Sequence, residues 1–160
     1  MSFRIEWFHV VLLVAVVVAT GCGSSPTSPS SSGATFSSVD LTVGNGDTVA
    51  KGDRIKVWYT GWIYVKSAPD NKGESFDSNR DRELFRYIVG TGHVIEGWDQ
   101  GVPGMKVGGI RRLIIPPELA YGSQGQNPIP PDATLIFEIE VVKSKNRHSI
   151  KAQEQVNLPS

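Results

Sequence analysis

The chain has 160 residues, its 16 lysines and arginines balance 16 aspartates and glutamates, and 39% of it is hydrophobic. One cysteine and three histidines exclude a disulfide framework and a cysteine-rich zinc site, and zero formal charge argues against a nucleic-acid binder, which needs a basic excess to neutralise phosphates. These proportions are those of ordinary globular chain, of a length that suits a single domain.

Residues 1–9 hold one basic residue, Arg4, offset by Glu6, and lead into an unbroken apolar run over 10–19. Ten residues at 1.5 Å rise cover about 15 Å, half the roughly 30 Å core of a bilayer. The run ends in Thr20-Gly21-Cys22, small residues that mark a secretory cleavage site. Ala19-Thr20-Gly21-Cys22 resembles the lipobox of bacterial lipoproteins, with Ala19 where leucine is commoner. The resemblance implies that 1–21 is a lipoprotein signal peptide and that Cys22, the first mature residue, carries the acyl chains (palmitate among them). It implies a chain anchored in the bacterial cell envelope, with the outer membrane one destination, facing the periplasm or the exterior. Several acyl chains anchor stably where one binds marginally. An ordinary signal peptide or a chance apolar start is the alternative. Residues 22–38 are almost entirely Ser, Pro, Thr and Gly, which bury too little apolar surface to offset ordering, and are predicted to be a tether.

Period-two alternation marks the strands that follow. Val39–Val43 is the predicted first strand. Ile55, Val57 and Tyr59 face one way, with Arg54, Lys56 and Trp58 between them. Phe85, Tyr87 and Val89 repeat the pattern around Arg86 and Ile88. Ile95, Trp98 and Val102 fall at i, i+3 and i+7, the face of a short helix ended by Gly101 and Pro103-Gly104. The apolar strand 110–115 carries Arg111 and Arg112 on opposite faces, one expected to be solvated and the other paired. The last strand alternates through Leu135, Phe137, Ile139 and Val141. Loop residues punctuate 68–71, 108–109 and 123–131. Antiparallel strands with one helix predict an α+β domain over 39–145 and a polar tail over 146–160. Lys143, Lys145, Arg147 and His148 read as solvated basic residues at the domain end.

No G-x-S-x-G, P-loop, H-E-x-x-H or EF-hand pattern occurs, so no cofactor or metal is implied. What remains is a set of aromatics at turning points: Tyr59, Phe76, Phe85, Tyr87, Trp98, Tyr121 and Phe137, with Asp77 beside Phe76. They fit a concave apolar pocket or simply a core, and alternation alone favours the core.

Five blocks decide between these. V-W-Y-T-G-W (57–62), F-D-S-N-R-D-R (76–82), V-I-E-G-W-D-Q-G-V (94–102), A-Y-G (120–122) and I-P-P-D-A-T-L-I-F-E-I-E (129–140) together resemble the FKBP-type peptidyl-prolyl isomerases, in the family's order and across residues 40–143. The resemblance implies a five- to six-stranded antiparallel sheet wrapped around one short helix. It implies isomerisation of Xaa-Pro bonds in proline-containing polypeptides, and macrolide inhibitors of the rapamycin class as further ligands. Carried onto this chain, it gives a substrate pocket of Phe76, Phe85, Val94, Trp98, Ile129 and Phe137. Trp98 is its floor, and Arg82 pairs with the carboxylate of Asp77. The implied catalytic groups are the Ile95 N–H and the Tyr121 hydroxyl, each bonding a substrate carbonyl. Asp77 orients Tyr59 or acts on the twisting amide. The chain departs from the family over 63–75, which is longer and either extends a hairpin or is a passive insertion. It departs again over 122–129, which is shorter and has Gln126 about where the family has histidine. A non-catalytic holdase or scaffold, or a surface interaction factor using the same pocket, is the competing reading.

Overall fold

A computed structural model describes residues 34–146. The predicted signal peptide, Cys22, most of the predicted tether and the predicted tail beyond Asn146 lie outside the described residues. Six strands form one antiparallel sheet: β1 (Ser37–Thr42), β2 (Arg54–Tyr64), β3 (Lys72–Ser78), β4 (Phe85–Ile88), β5 (Ile110–Ile115) and β6 (Leu135–Lys145). A single α-helix, α1 (Glu96–Gly101), precedes β5. The strand order is β1-β5-β6-β2-β3. The outer edge of β2 is divided, with β4 paired to its first half and β3 to its second.

The alternation read from the sequence settles which face is inside. Ile55 and Val57 on β2, Leu113 and Ile115 on β5, and Leu135, Phe137, Ile139 and Val141 on β6 are all buried on one face, against Trp98, Val102 and Met105. A bulge in the β2–β6 ladder between Lys56 and Val57 leaves Val142 without an opposite residue. That keeps Val141 inward and Lys143 outward on either side of the extra residue, and leaves Val142 exposed.

The helix is six residues long and ends at Gly101, as the sequence predicts. It lies directly on β5 because two of its residues have no side chain. A Cβ on Gly97 would sit 2.4 Å from Ile115 Cγ2, and one on Gly101 2.6 Å from Leu113 Cδ2. Asp99 accepts hydrogen bonds from the N–H groups of Gly90 and Gly92, both 2.8 Å, and so fastens the helix to the loop after β4.

Three expectations change. The first strand begins at Ser37, inside the predicted tether, because β5 offers an unpaired edge that backbone hydrogen bonding can use without apolar side chains. The longer stretch after Trp62 is mostly hairpin: β2 runs on to Tyr64, β3 starts at Lys72, and a 3-10 turn over Pro69–Asn71 joins them. Both Arg111 and Arg112 are paired. Arg111 holds Asp40 through two nitrogens, at 2.6 and 3.0 Å, and donates to the carbonyls of Gly101 and Pro103 at the end of α1. Arg112 binds Glu138 at 2.8 Å on the other face, beside Lys72, which also reaches Glu138 at 2.8 Å and stands 4.3 Å from the Trp62 ring centroid.

Candidate active site

Inside the curl of the sheet is a cavity of about 190 Å³. Its walls come from distant parts of the chain. β2 supplies Tyr59, β3 supplies Phe76 and Asp77, β4 supplies Phe85 and β6 supplies Phe137. The helix and its approach supply His93, Val94, Ile95 and Trp98, and Tyr121 closes the remaining side. Gly61 lies opposite both Phe137 and Asp77 in the sheet. A Cβ there would come within 2.6 Å of Phe76 and 2.8 Å of Phe137, so its missing side chain is the space those two rings occupy.

Trp98 is the floor. It is 4% exposed, and Tyr59, Phe85, Tyr87 and Phe137 surround it at centroid distances of 5.2, 6.1, 5.7 and 5.2 Å. Three of these contacts are edge-to-face, the arrangement the aromatic quadrupole favours. Phe76 meets Phe137 in the same way at 5.5 Å. The Trp98 indole N–H and the Tyr87 hydroxyl are buried without a hydrogen-bond partner among the described residues.

Polar groups sit at the rim. The Tyr59 hydroxyl donates to Asp77 Oδ2 at 2.5 Å, and Arg82 reaches Asp77 Oδ1 at 3.4 Å from a largely exposed position outside the pocket wall. Burial raises the Tyr59 phenol above its ordinary value of 10.0, and the Asp77 carboxylate raises it further, so the ring stays protonated and donating. Burial also raises Tyr121, with Asp77 adding to it. The Ile95 N–H, at the start of α1, and the Tyr121 hydroxyl make no hydrogen bond to any described residue. Both groups belong to the residues that line the cavity.

Asn79 was not singled out from the sequence, yet it organises this rim. It is 6% exposed and fully engaged: Oδ1 accepts from Tyr59 N–H at 2.7 Å, and Nδ2 donates to the carbonyls of Val57 and Glu83. The loop carrying Arg82 is thereby pinned to β2 next to Tyr59. The signal was present in S-N-R-D, where a turn-forming side chain is expected, but it falls on Asn79, while Asp77 turns its carboxylate to Tyr59. His93 is also on the wall, its Nδ1 3.0 Å from Thr91 Oγ1, and only its place just before Val94-Ile95 could have marked it.

Ile129 is placed differently from expectation. It is 6% exposed and belongs to the core under the wall rather than to the wall. The short loop folds back on itself there. Gln126 N–H bonds the Ile129 carbonyl and Ile129 N–H bonds the Gln126 carbonyl, and the side chain is drawn inward. No cluster of metal-ligating side chains occurs among the described residues.

The comparisons with known proteins agree with this geometry. A family model described as FKBP-type peptidyl-prolyl cis-trans isomerase matches residues 46–142. An FK506-binding protein of Neisseria meningitidis serogroup A is 47% identical over 106 residues, covering 65% of this chain and 91% of that protein. FK506-binding protein 5 of Dictyostelium discoideum is 45% identical over 113 residues, 70% of this chain but only 6% of the relative's length. The crystal structure of AtFKBP13 superposes with a TM-score of 0.60 at 38% identity, covering 69% of this chain and 93% of that one.

Proposed function

The chain belongs to the FKBP-type peptidyl-prolyl cis-trans isomerase family, and from that premise we propose that it accelerates rotation about Xaa-Pro bonds of polypeptides folding in the bacterial envelope. The observation that carries this reading is the cavity floored by Trp98 and rimmed by Tyr59, Asp77, Tyr121 and the Ile95 N–H.

Rotation about a peptide C–N bond has a barrier of about 18–20 kcal/mol because it breaks amide resonance. The planar amide is the more charge-separated state, with negative charge on oxygen that water stabilises. In the twisted state the nitrogen lone pair returns to nitrogen and the carbonyl is less polar. Moving the bond from water into walls of Phe76, Trp98 and Phe137 penalises the planar state more than the twisted one. A site selective in that direction accelerates the reaction with no covalent step and no proton transfer. The pyrrolidine ring rests on Trp98. The Ile95 N–H and the Tyr121 hydroxyl bond carbonyls on either side, fixing the flanking chain so that thermal motion is channelled into the one bond. Asp77 holds Tyr59 as part of the wall and presents negative charge at the rim.

A protease-coupled isomerisation assay of the full chain on short Xaa-Pro peptides tests this. Asp77→Ala combined with Tyr121→Phe is expected to lower kcat/KM by about tenfold or more, given that bonds of this kind are each worth about 0.5–1.5 kcal/mol. Full turnover in the double variant rejects the site. Macrolides of the rapamycin class are expected to compete for the same cavity. The non-catalytic holdase predicts suppressed aggregation with no turnover at all.

The N-terminal sequence supports a lipid-anchored form facing the periplasm or the exterior, attached through Cys22 after removal of 1–21. Intact-mass measurement on the protein from its native membrane is expected to give acylated Cys22 at the N-terminus. An unmodified chain rejects the anchor.

A further inference from the structure

Three strands bring five cations together on the outer face of the sheet. Lys56 on β2 lies opposite Arg86 on β4 on one side and Lys143 on β6 on the other. Arg54, two residues earlier on β2, lies opposite Lys145. Adjacent strands are only about 4.8 Å apart, and like charges directly opposite one another destabilise a sheet. Elsewhere on the described surface, Lys72, Arg80, Arg82, Arg111 and Arg112 each have a carboxylate partner, and Lys51, Lys66 and Lys106, which have none, are not opposite another cation in the sheet. Arg54, Lys56, Arg86 and Lys143 form no ion pair among the described residues. Asp53, next to Arg54 in sequence, is buried and held by the Ala50 N–H and the Ser144 hydroxyl. The flanking chain brings little acid of its own: residues 22–36 contain none, and in 146–160 Glu154 is outnumbered by Arg147 and Lys151. The charge of Arg54, Lys56, Arg86 and Lys143 is thus left available to another molecule.

The cationic face is continuous with the aromatic pocket. Arg54 and Arg86 line, with Tyr87, Ile88 and His93, a cavity across the edge strand β4, and His93 is also on the pocket wall. Arg86 follows the wall residue Phe85 but points to the opposite face of β4, so the way from the pocket to the cationic face runs round the β4 edge, past His93. An extended polypeptide advances about 3.3 Å per residue. A substrate whose proline rests on Trp98 therefore reaches the cationic face within a few residues.

We propose that this face is a substrate-recognition subsite, which binds an acidic stretch of the same polypeptide whose Xaa-Pro bond occupies the aromatic pocket. The inference rests on the isomerase reading of that pocket and adds a substrate class to it: proline segments flanked by aspartates and glutamates. Exposed ion pairs are individually weak, but an array of them acts together, chiefly by speeding encounter.

The test uses the full chain and peptides sharing one Xaa-Pro core, extended on either side by a run of aspartates, of lysines or of serines. In the isomerisation assay at low salt, one of the two aspartate extensions is expected to raise kcat/KM about tenfold over the serine peptide, and the gain to shrink towards parity near 0.5 M salt. The lysine peptides are expected to gain nothing. Lys56→Glu with Lys143→Glu is expected to abolish the preference while leaving turnover of the serine peptide unchanged. Lys143→Gln alone, which adds no new charge, is expected to weaken it. Fluorescence anisotropy with labelled peptides reads the same preference as a difference in Kd, independently of turnover, so a failed isomerase reading shows in the serine peptide while this proposal is still decided by binding. Equal kcat/KM and equal Kd for aspartate and serine peptides overturn it, as does a preference that persists in the charge-reversed variant. Sedimentation of the wild type but not the variant with phosphatidylglycerol vesicles, without any peptide preference, makes the face a membrane contact and also overturns it.

Discussion

Two tyrosines near the pocket, the half-buried Tyr59 and the buried Tyr87, face opposite demands. The Tyr59 hydroxyl has an acceptor in Asp77 at 2.5 Å, so its burial is compensated and its direction fixed. The Tyr87 hydroxyl is buried beside Trp98 with no partner among the described residues, and burial pushes its phenol above the ordinary range, with Asp99 adding to the shift. An unmet hydroxyl in an apolar setting costs about 1–3 kcal/mol. Tyr87→Phe removes that oxygen and keeps the ring stacked on Phe85 and tilted on Trp98. We expect it to stabilise the fold by about 0.5–1.5 kcal/mol in urea denaturation, with kcat/KM intact. A loss of stability would mean that the hydroxyl is satisfied.

At the level of elements, the catalytic floor depends on how closely α1 approaches β5. Six residues make too short a helix to stand alone, and its stability comes from packing. Gly97 and Gly101 bring the backbone onto Ile115 and Leu113, Arg111 holds the carbonyls at the helix end, and Asp99 ties it to the loop after β4. Helix propensity alone predicts that Gly97→Ala gains about 1 kcal/mol. Contact predicts the reverse. The new Cβ would lie 2.4 Å from the buried, branched Ile115, and overpacking of this kind costs about 1–3 kcal/mol. The expected net result is destabilisation with lowered turnover, because Trp98 follows Gly97 directly. Denaturation midpoints and kcat/KM measured together check it, and a stabilised variant would overturn it.

For the whole molecule, ionisation sets a window of stability. Asp40 is held below its ordinary value mainly by its hydrogen bond to Arg111. Glu138 feels burial pushing it up, but Lys72 and Arg112 together outweigh that and lower it. A carboxylate with a lowered folded pKa contributes stability above its unfolded value, and this is lost as pH falls below about 4. Tyr59, Tyr87 and Tyr121 are raised by burial, so above about pH 10 the unfolded chain loses protons that the folded chain keeps, and stability declines. A plot of Tm against pH is expected to be flat between about 5 and 9 and to fall on both sides. Asp40→Asn should flatten the acid limb and Tyr59→Phe the alkaline one. Limbs unchanged by either substitution would mean that other groups carry them.

The sequence by itself determined five of the six strands, the helical face of Ile95, Trp98 and Val102, and every aromatic of the pocket, because period and side-chain type are local properties; β3 carries no clear alternation and emerged only in the fold. The resemblance carried by five motif blocks then separated a pocket from a core, which alternation could not do. Tertiary structure alone decided four other things. It decided that Ile129 turns inward, because a shortened loop bonds back on itself. It decided that Asn79 pins the loop after β3. It paired both arginines of β5, since Asp40 and Glu138 arrive from other strands. It also drew Arg54, Lys56, Arg86 and Lys143 from three separate stretches into one cationic face. Strand register is a long-range property, and residues 30 to 90 apart in sequence become neighbours only when the ladder of backbone hydrogen bonds fixes which of them stand opposite.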